Sequence, residues 1–264
     1  MRVADLDRDM SDVIPTGMTR DSTFLFARMT EATFAQLGAL RGRRVLDVAS
    51  GFGQDAEALA ARGARALGAE PSARMLAFAR LRRAESPHRA ALAWIQSWSD
   101  ALPFADACCD AVFCKGALDH FDRPEHAIAE MARVALPEGR VVLAIANFES
   151  LACRVARAWD ALRERVRGRR LGRGRRHYDV PSDHFTRYEL ALMREQAERW
   201  LVLEEIQGVS LGWGLPGLTR WLEKIPEPLA KAVLRAFDAL ARRRPHLADV
   251  VVLSGRPRAA MTSR

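Results

Sequence analysis

Asp47, Gly51, Gly53 and Glu70 are the residues whose types and spacing promise chemistry. In VLDVASGFGQD, residues 45–55, an apolar run of strand character enters a turn with two glycines. Such a turn lets backbone come close to a ligand. GFGQDA fits G-x-G-x-x-A, one form of the dinucleotide fingerprint, but no Gly-Lys-Ser/Thr follows, which excludes a phosphate-cradling P-loop. Asp47, four residues before Gly51, would repel a pyrophosphate lying on the turn. It suits a ligand whose nearby group is cationic. Glu70, at the end of the next strand-like run, is placed to accept hydrogen bonds from a ribose diol. The combination asks for a cationic, ribose-bearing ligand without phosphate.

These residues need elements that bring them to one edge. Apolar Phe24, Ala27, Phe34 and Leu37 at near-helical spacing predict a helix over 21–38. Strands are then predicted at 44–49, 64–70, 92–96, 110–115 and 140–148, alternating with helices at 54–63, 71–85 (Pro71 in its first turn) and 123–135. Continuously apolar strands alternating with helices indicate a parallel sheet covered on both faces, and right-handed crossovers make it doubly wound. Beyond 148 the rhythm breaks. A one-faced helix is predicted at 151–166, and Thr186 with Glu189 reads as a capping box for a helix running to Trp200. Strands follow at 201–207 and 248–255, with a lid segment at 210–222 and a helix at 229–243 between them. The expected organisation is a cap helix in 1–40, a ligand-binding core in 41–148, a basic helical insertion in 149–185, and a C-terminal part of the core in 186–264 carrying a second lid insertion at 208–247.

S-adenosyl-L-methionine is a cation with a ribose and no phosphate. Residues 44 to about 147 resemble the class I S-adenosylmethionine-dependent methyltransferases, in particular their broad small-molecule group. VLDVASGFG resembles the family's glycine-rich loop, ALGAEPSARMLAFAR its acid-then-helix segment, and ALPFADACCDAVFC the stretch into its fourth strand. HAIAEMARVALPEGRVVLAI resembles the helix, turn and fifth strand that follow, and DHFTRYELALMREQAERWLVLEEI the later segment into the sixth. The resemblance implies an α/β, doubly wound, Rossmann-like fold. Its seven-stranded sheet is mostly parallel, with an antiparallel last hairpin and helical insertions forming a lid. It implies S-adenosyl-L-methionine as cofactor, held by Asp47, Ala49, Ser50, Gly51, Gly53, Glu70, Pro71, Trp98, Ser99 and Lys115. There are departures. Ala49 stands where the family has the loop's first glycine, and Trp98 where it often has the acid that contacts adenine. Asp100 or Ser99 takes that contact, or the purine is held by stacking and backbone.

Methyl transfer from a sulfonium is an in-line displacement that needs the acceptor held close and water excluded. A general base helps phenols and carbon acids and is superfluous for tertiary amines and thiolates. His120, just past the fourth strand in KGALDHF, is the candidate base; its bland alternative is a histidine satisfying backbone at a helix start. Asp119, His120, His184 and Trp213 are expected to line the acceptor, which is a small, partly apolar molecule. His177 and Asp179 have the H-x-D spacing of iron sites but lack that framework, so no metal is expected.

The net charge of +8 is concentrated. Residues 154–176 hold ten arginines against Asp160 and Glu164. Residues 163–176 are either a solvated run or a docking patch for an anionic partner or membrane surface, and no aromatic residue interleaves the arginines, which argues against single-stranded nucleic acid. No amino-methylating tetrad of the [ND]PP[YF] type occurs either. No apolar run is long enough to cross a bilayer, and the polar N-terminus reads as cytoplasmic. Cys108, Cys109, Cys114 and Cys153 offer neither a disulfide framework nor a zinc knuckle. Two rival readings remain: a non-catalytic protein of the same fold that docks through its arginines, and an NAD-dependent oxidoreductase, which Asp47 disfavours.

Overall fold

The computed structural model describes residues 18–168, 176, 178–180 and 184–259. The expectations placed on His177 and on the arginines between 169 and 175 lie outside the described residues.

Helix α1 (Arg20–Gln36) precedes strand β1 (Arg44–Val48), helix α2 (Gln54–Ala60), strand β2 (Arg65–Glu70), helix α3 (Ala73–Glu85), strand β3 (Leu92–Gln96) and strand β4 (Cys109–Lys115). A 3₁₀ turn over Leu118–His120 leads to α4 (Pro124–Val134) and β5 (Ala135–Ala146). Then come α5 (Leu151–Arg167), α6 (Leu190–Glu198), β6 (Leu201–Val209), α7 (Pro216–Lys224), α8 (Glu227–Arg243) and β7 (Val250–Pro257). The strands form one sheet in the order β3-β2-β1-β4-β5-β7-β6. The first five are mutually parallel, and β7 enters antiparallel between β5 and β6. The expected fold class is therefore the observed one.

Burial explains the apolar strands. Val141 to Ile145 in β5 and Val251 to Leu253 in β7 are closed off from solvent, because helices cover both faces. One core layer gathers Leu46, Val112, Ile128, Met131, Leu143 and Tyr188; the other gathers Leu25, Phe34, Leu59, Phe113 and Val142. Each such side chain contributes about 1.5–3 kcal/mol on burial. Between β1 and β4 the strand order reverses, and in open sheets of this kind ligands bind beyond the carboxyl ends at that switch.

Two local expectations are corrected. Pro71 lies outside α3, whose N-cap is Ser72, with its hydroxyl accepting the Met75 N–H at 3.1 Å. Thr186 and Glu189 form no capping box: Glu189 is the N-cap of α6 without a side-chain bond, and the Thr186 N–H donates to the Asp119 carbonyl at 3.3 Å. That long-range contact outcompetes the local one.

Candidate active site

The turn after β1 is built for close approach. Ala49, Gly51 and Gly53 all have positive φ, 60°, 52° and 80°. For Ala49 this left-handed backbone costs roughly 1–2 kcal/mol that glycine would not incur. The turn is pinned to β2: Ala49 N and Ser50 N both donate to the Ala69 carbonyl, at 2.8 and 3.2 Å. The pinning extends to Glu70 at the tip of β2. Its two carboxylate oxygens accept the N–H groups of Ser72, at 3.0 Å, and Gly51, at 2.9 Å. A carboxylate oxygen accepts more than one bond, so each can still receive a hydroxyl.

Asp47 is the penultimate residue of β1, in register with Gly68 on one side and Phe113 on the other. It is buried, and its Oδ2 finds no hydrogen-bond partner among the described residues. Burial, reinforced by neighbouring Asp55, pushes its carboxyl well above the ordinary carboxylate value, with Lys115 pulling the other way. Lys115 ends β4 and is itself engaged: Nζ lies 2.7 Å from Asp55 Oδ2 and donates to Thr30 Oγ1 at 2.7 Å. It thereby ties α1 to α2 over the strand tips. Ser50 Oγ is likewise buried and has no partner among the described residues. Orphaned oxygens beside a fixed acid at the switch point fit a polar ligand that carries both a cation and hydroxyls.

Trp94 was not anticipated. It continues the row Asp47, Gly68 across to β3. A Cβ on Gly68 would stand 2.2 Å from its Cδ1 and 2.6 Å from Ser50 Oγ, and one on Gly53 would stand 2.5 Å from its Cζ2. The indole therefore lies across both glycines and walls the turn from below.

At the other end of the crevice, Trp98 and Ser99 are half-buried in the loop after β3. Asp100 is paired with Arg123 at 2.5 Å. The loop from Leu102 to Asp106 is fixed by Arg133, which donates to Leu102 O at 3.0 Å, Phe104 O at 2.8 Å and Asp106 Oδ1 at 2.6 Å. Glu130 accepts from Arg133 and from Leu102 N, and the arginine holds its carboxyl below the usual range against the opposing effect of burial.

Beyond β4 the structure brings Asp119, His120 and His184 together. Phe185 N and Thr186 N donate to the Asp119 carbonyl, which sews the 184–186 segment onto the 3₁₀ turn. His184 Nε2 lies 3.0 Å from Asp119 Oδ2, and the two imidazole centroids are 4.1 Å apart. Phe148 meets His184 edge-on at 6.1 Å. Asp119 is buried, with Oδ1 unpartnered among the described residues. The ligand-type atoms of the three lie within 4.8 Å of one another. The trio comprises an acid–imidazole pair with a second imidazole tilted at 45° to the first. Trp213 is elsewhere: its indole N–H donates to Ser22 Oγ at 3.0 Å, its backbone N–H to Asp249 Oδ2 at 2.9 Å, and its ring meets Phe26 at 6.5 Å. These contacts brace the lid against α1.

Residues 46–143 match the methyltransferase domain family. The matched stretch is 98 of the 264 residues. Its limits run from within β1 to within β5 and so enclose the glycine turn, Glu70 and the Asp119–His120 turn. The chain is 35% identical over 134 residues to a demethylmenaquinone methyltransferase of Renibacterium salmoninarum, covering 51% of each protein. It is 38% identical over 112 residues to a ubiquinone biosynthesis O-methyltransferase of Alkalilimnicola ehrlichii, covering 42% of this chain and 44% of that one. The chain thus spans about half the length of the curated relatives it matches. Among solved structures, the [4+2]-cyclase SpnF superposes with a TM-score of 0.57 at 19% identity, covering 87% of this chain and 80% of that one. Geranyl diphosphate C-methyltransferase from Streptomyces coelicolor A3(2), in complex with Mg2+, geranyl diphosphate and S-adenosyl-L-homocysteine, gives 0.55 at 18%, covering 88% and 80%. The chain thus shares its fold with both a cyclase and a methyltransferase, and the reaction must be argued from the site.

Proposed function

We propose that the protein is an S-adenosylmethionine-dependent methyltransferase acting on a small, partly apolar acceptor. The observation that carries this reading is the Glu70 carboxylate, locked at the tip of β2 by Gly51 N and Ser72 N inside the stretch that matches the methyltransferase domain family. S-adenosyl-L-methionine, when bound, supplies an electrophilic methyl group on a sulfonium. Glu70 accepts the two ribose hydroxyls. Asp47 lies beside the positive end, and a cation there favours its ionised form, which burial alone disfavours. The turn from Ala49 to Gly53 offers backbone to the donor's amino-acid portion, while Pro71, Trp98 and Ser99 line the adenine side. Lys115 holds α1 and α2 closed over the tips and so excludes water.

The acceptor lies against the Asp119–His120–His184 cluster. Asp119 orients His184, His184 packs against His120, and His120 takes the acceptor proton where a phenol or carbon acid is methylated. Relatives named for demethylmenaquinone and ubiquinone biosynthesis support a small-molecule acceptor. The test is calorimetric titration. S-adenosylhomocysteine binds and NAD does not, and Glu70→Ala weakens binding by about 1–3 kcal/mol through loss of charge-assisted bonds. Unchanged affinity in Glu70→Ala, or binding of NAD instead, would refute the reading.

A further inference from the structure

Helix α5 leaves the sheet at the same edge as the proposed site, directly after β5, and beyond the first turn it meets described residues through polar contacts of Arg154, Arg157 and Asp160. Only Ala152 and Cys153, in its first turn, are buried. Leu151, Val155, Trp159, Leu162 and Val166 are all exposed, Trp159 by 60% and Val166 by 78%. At about 100° per residue these five side chains share roughly 80° of the helix circumference. On the same wheel Arg154 and Arg165 flank one edge of the stripe, Arg163 and Arg167 the other, and the acids Asp160 and Glu164 fall on the opposite side. Arg165 and Arg167 take no ion pair with a described residue, whereas Arg176 and Arg163 neutralise Asp160 at 2.5 and 3.7 Å. The sequence adds arginines at 169, 170, 173 and 175 immediately beyond.

An apolar stripe bordered on both sides by cations, with its acids turned away, matches the cross-section of a lipid interface: acyl boundary below, anionic headgroups at the flanks. We propose that α5 is a membrane-surface docking helix that lies in the headgroup region of an anionic bilayer, Trp159 and Val166 inward. The five apolar side chains argue for lipid over a nucleic acid, which would use the arginines alone. Docking by α5 presents the carboxyl edge of the sheet to the membrane. This inference does not depend on the methyl-transfer reading, and its test reads binding rather than turnover.

The experiment is cosedimentation of the full chain with vesicles of phosphatidylcholine alone or mixed with phosphatidylglycerol. Binding to the mixed vesicles is expected, and binding to the neutral ones at least about tenfold weaker, since each arginine near an anionic surface contributes roughly fivefold. Trp159→Ser combined with Val166→Ser, both on the solvent face, is expected to weaken binding by at least about tenfold without altering the thermal melt. Arg165→Gln with Arg167→Gln is expected to act mainly on the anionic vesicles. The proposal is overturned if the wild-type chain sediments with neither vesicle, or if the apolar double variant binds as the wild type does. It is equally overturned if gel filtration shows a dimer that the same variant converts to monomer, since a second copy would then cover the stripe.

Discussion

Gly68 is where one atom decides most. Its missing side chain admits the Trp94 indole beneath the glycine turn, and a Cβ would collide with ring atoms at 2.2 and 2.4 Å and with Ser50 Oγ at 2.6 Å. Gly68→Ala is therefore expected to destabilise the protein by about 1–3 kcal/mol through overpacking, read as a lowered denaturant midpoint, with the tryptophan fluorescence of the native state altered. A midpoint unchanged within error would mean that the indole moves aside without cost. Asp47, the two glycines and Glu70 were legible in the sequence because local motif spacing places them. Trp94 was not, since its position over Gly68 depends on strand register, which no local pattern records. Ala49 was legible only as a small replacement; its left-handed backbone emerged with the fold.

Among the elements, the loop between β3 and β4 shows how an irregular segment is held without secondary structure. Arg133, on α4, gathers three of the loop's acceptors and is kept in place by Glu130 one turn earlier. Arg133→Met keeps the aliphatic stem and deletes those bonds. It is expected to speed amide exchange across 102–106 and to cost about 1.5–3 kcal/mol, the worth of hydrogen bonds from a charged donor; exchange confined to wild-type rates would count against the hub. The i, i+3 spacing of Glu130 and Arg133 was visible in the sequence, but a helix-surface pair reads the same way as a loop anchor. The alternation of strands and helices through β5 was readable because β1, β2, β4 and β5 are mostly buried apolar runs; only the edge strand β3 is largely exposed among these five. The misreading at Thr186 has a physical cause. The motif for a local cap was present, but the Asp119 carbonyl, distant in sequence, claims that backbone N–H. The same long-range contact creates the Asp119–His184 pair, whose partners could be nominated separately but not joined by any spacing rule.

For the molecule as a whole, two buried acids set opposite responses to pH. Asp249, before β7, has its carboxyl pushed up to about 7 by burial, only partly offset by bonds such as that from Trp213 N. A raised carboxyl pKa means that the folded state retains a proton the unfolded state has lost, so stability is greatest below 3.8 and declines as pH rises towards 7. Asp21 is the reverse. Burial alone would raise its carboxyl, yet bonds from Thr19, Thr219, Gly214 and Ser22 hold it below 3.8, so its contribution is lost only in stronger acid. Asp249→Asn is expected to flatten the decline in stability between about pH 4 and 7, where one such group contributes up to about 1.4 kcal/mol per pH unit. Denaturant titrations across that range check it, and parallel profiles for the two proteins would exclude Asp249 as the source.

The placement of β7 between β5 and β6 bears on how the chain is made. On the ribosome, residues 201–209 emerge with no strand to join, because among the described residues their one neighbour in the sheet is β7, which follows them. Until residues 250–257 clear the exit tunnel, the apolar flank of β5 from Val141 to Ala146 also stands open. Such a flank is a template for pairing with other nascent chains. A ribosome stalled between residues 209 and 250 would therefore hold a substrate for chaperones, and β7 works as a zip that closes both flanks at once.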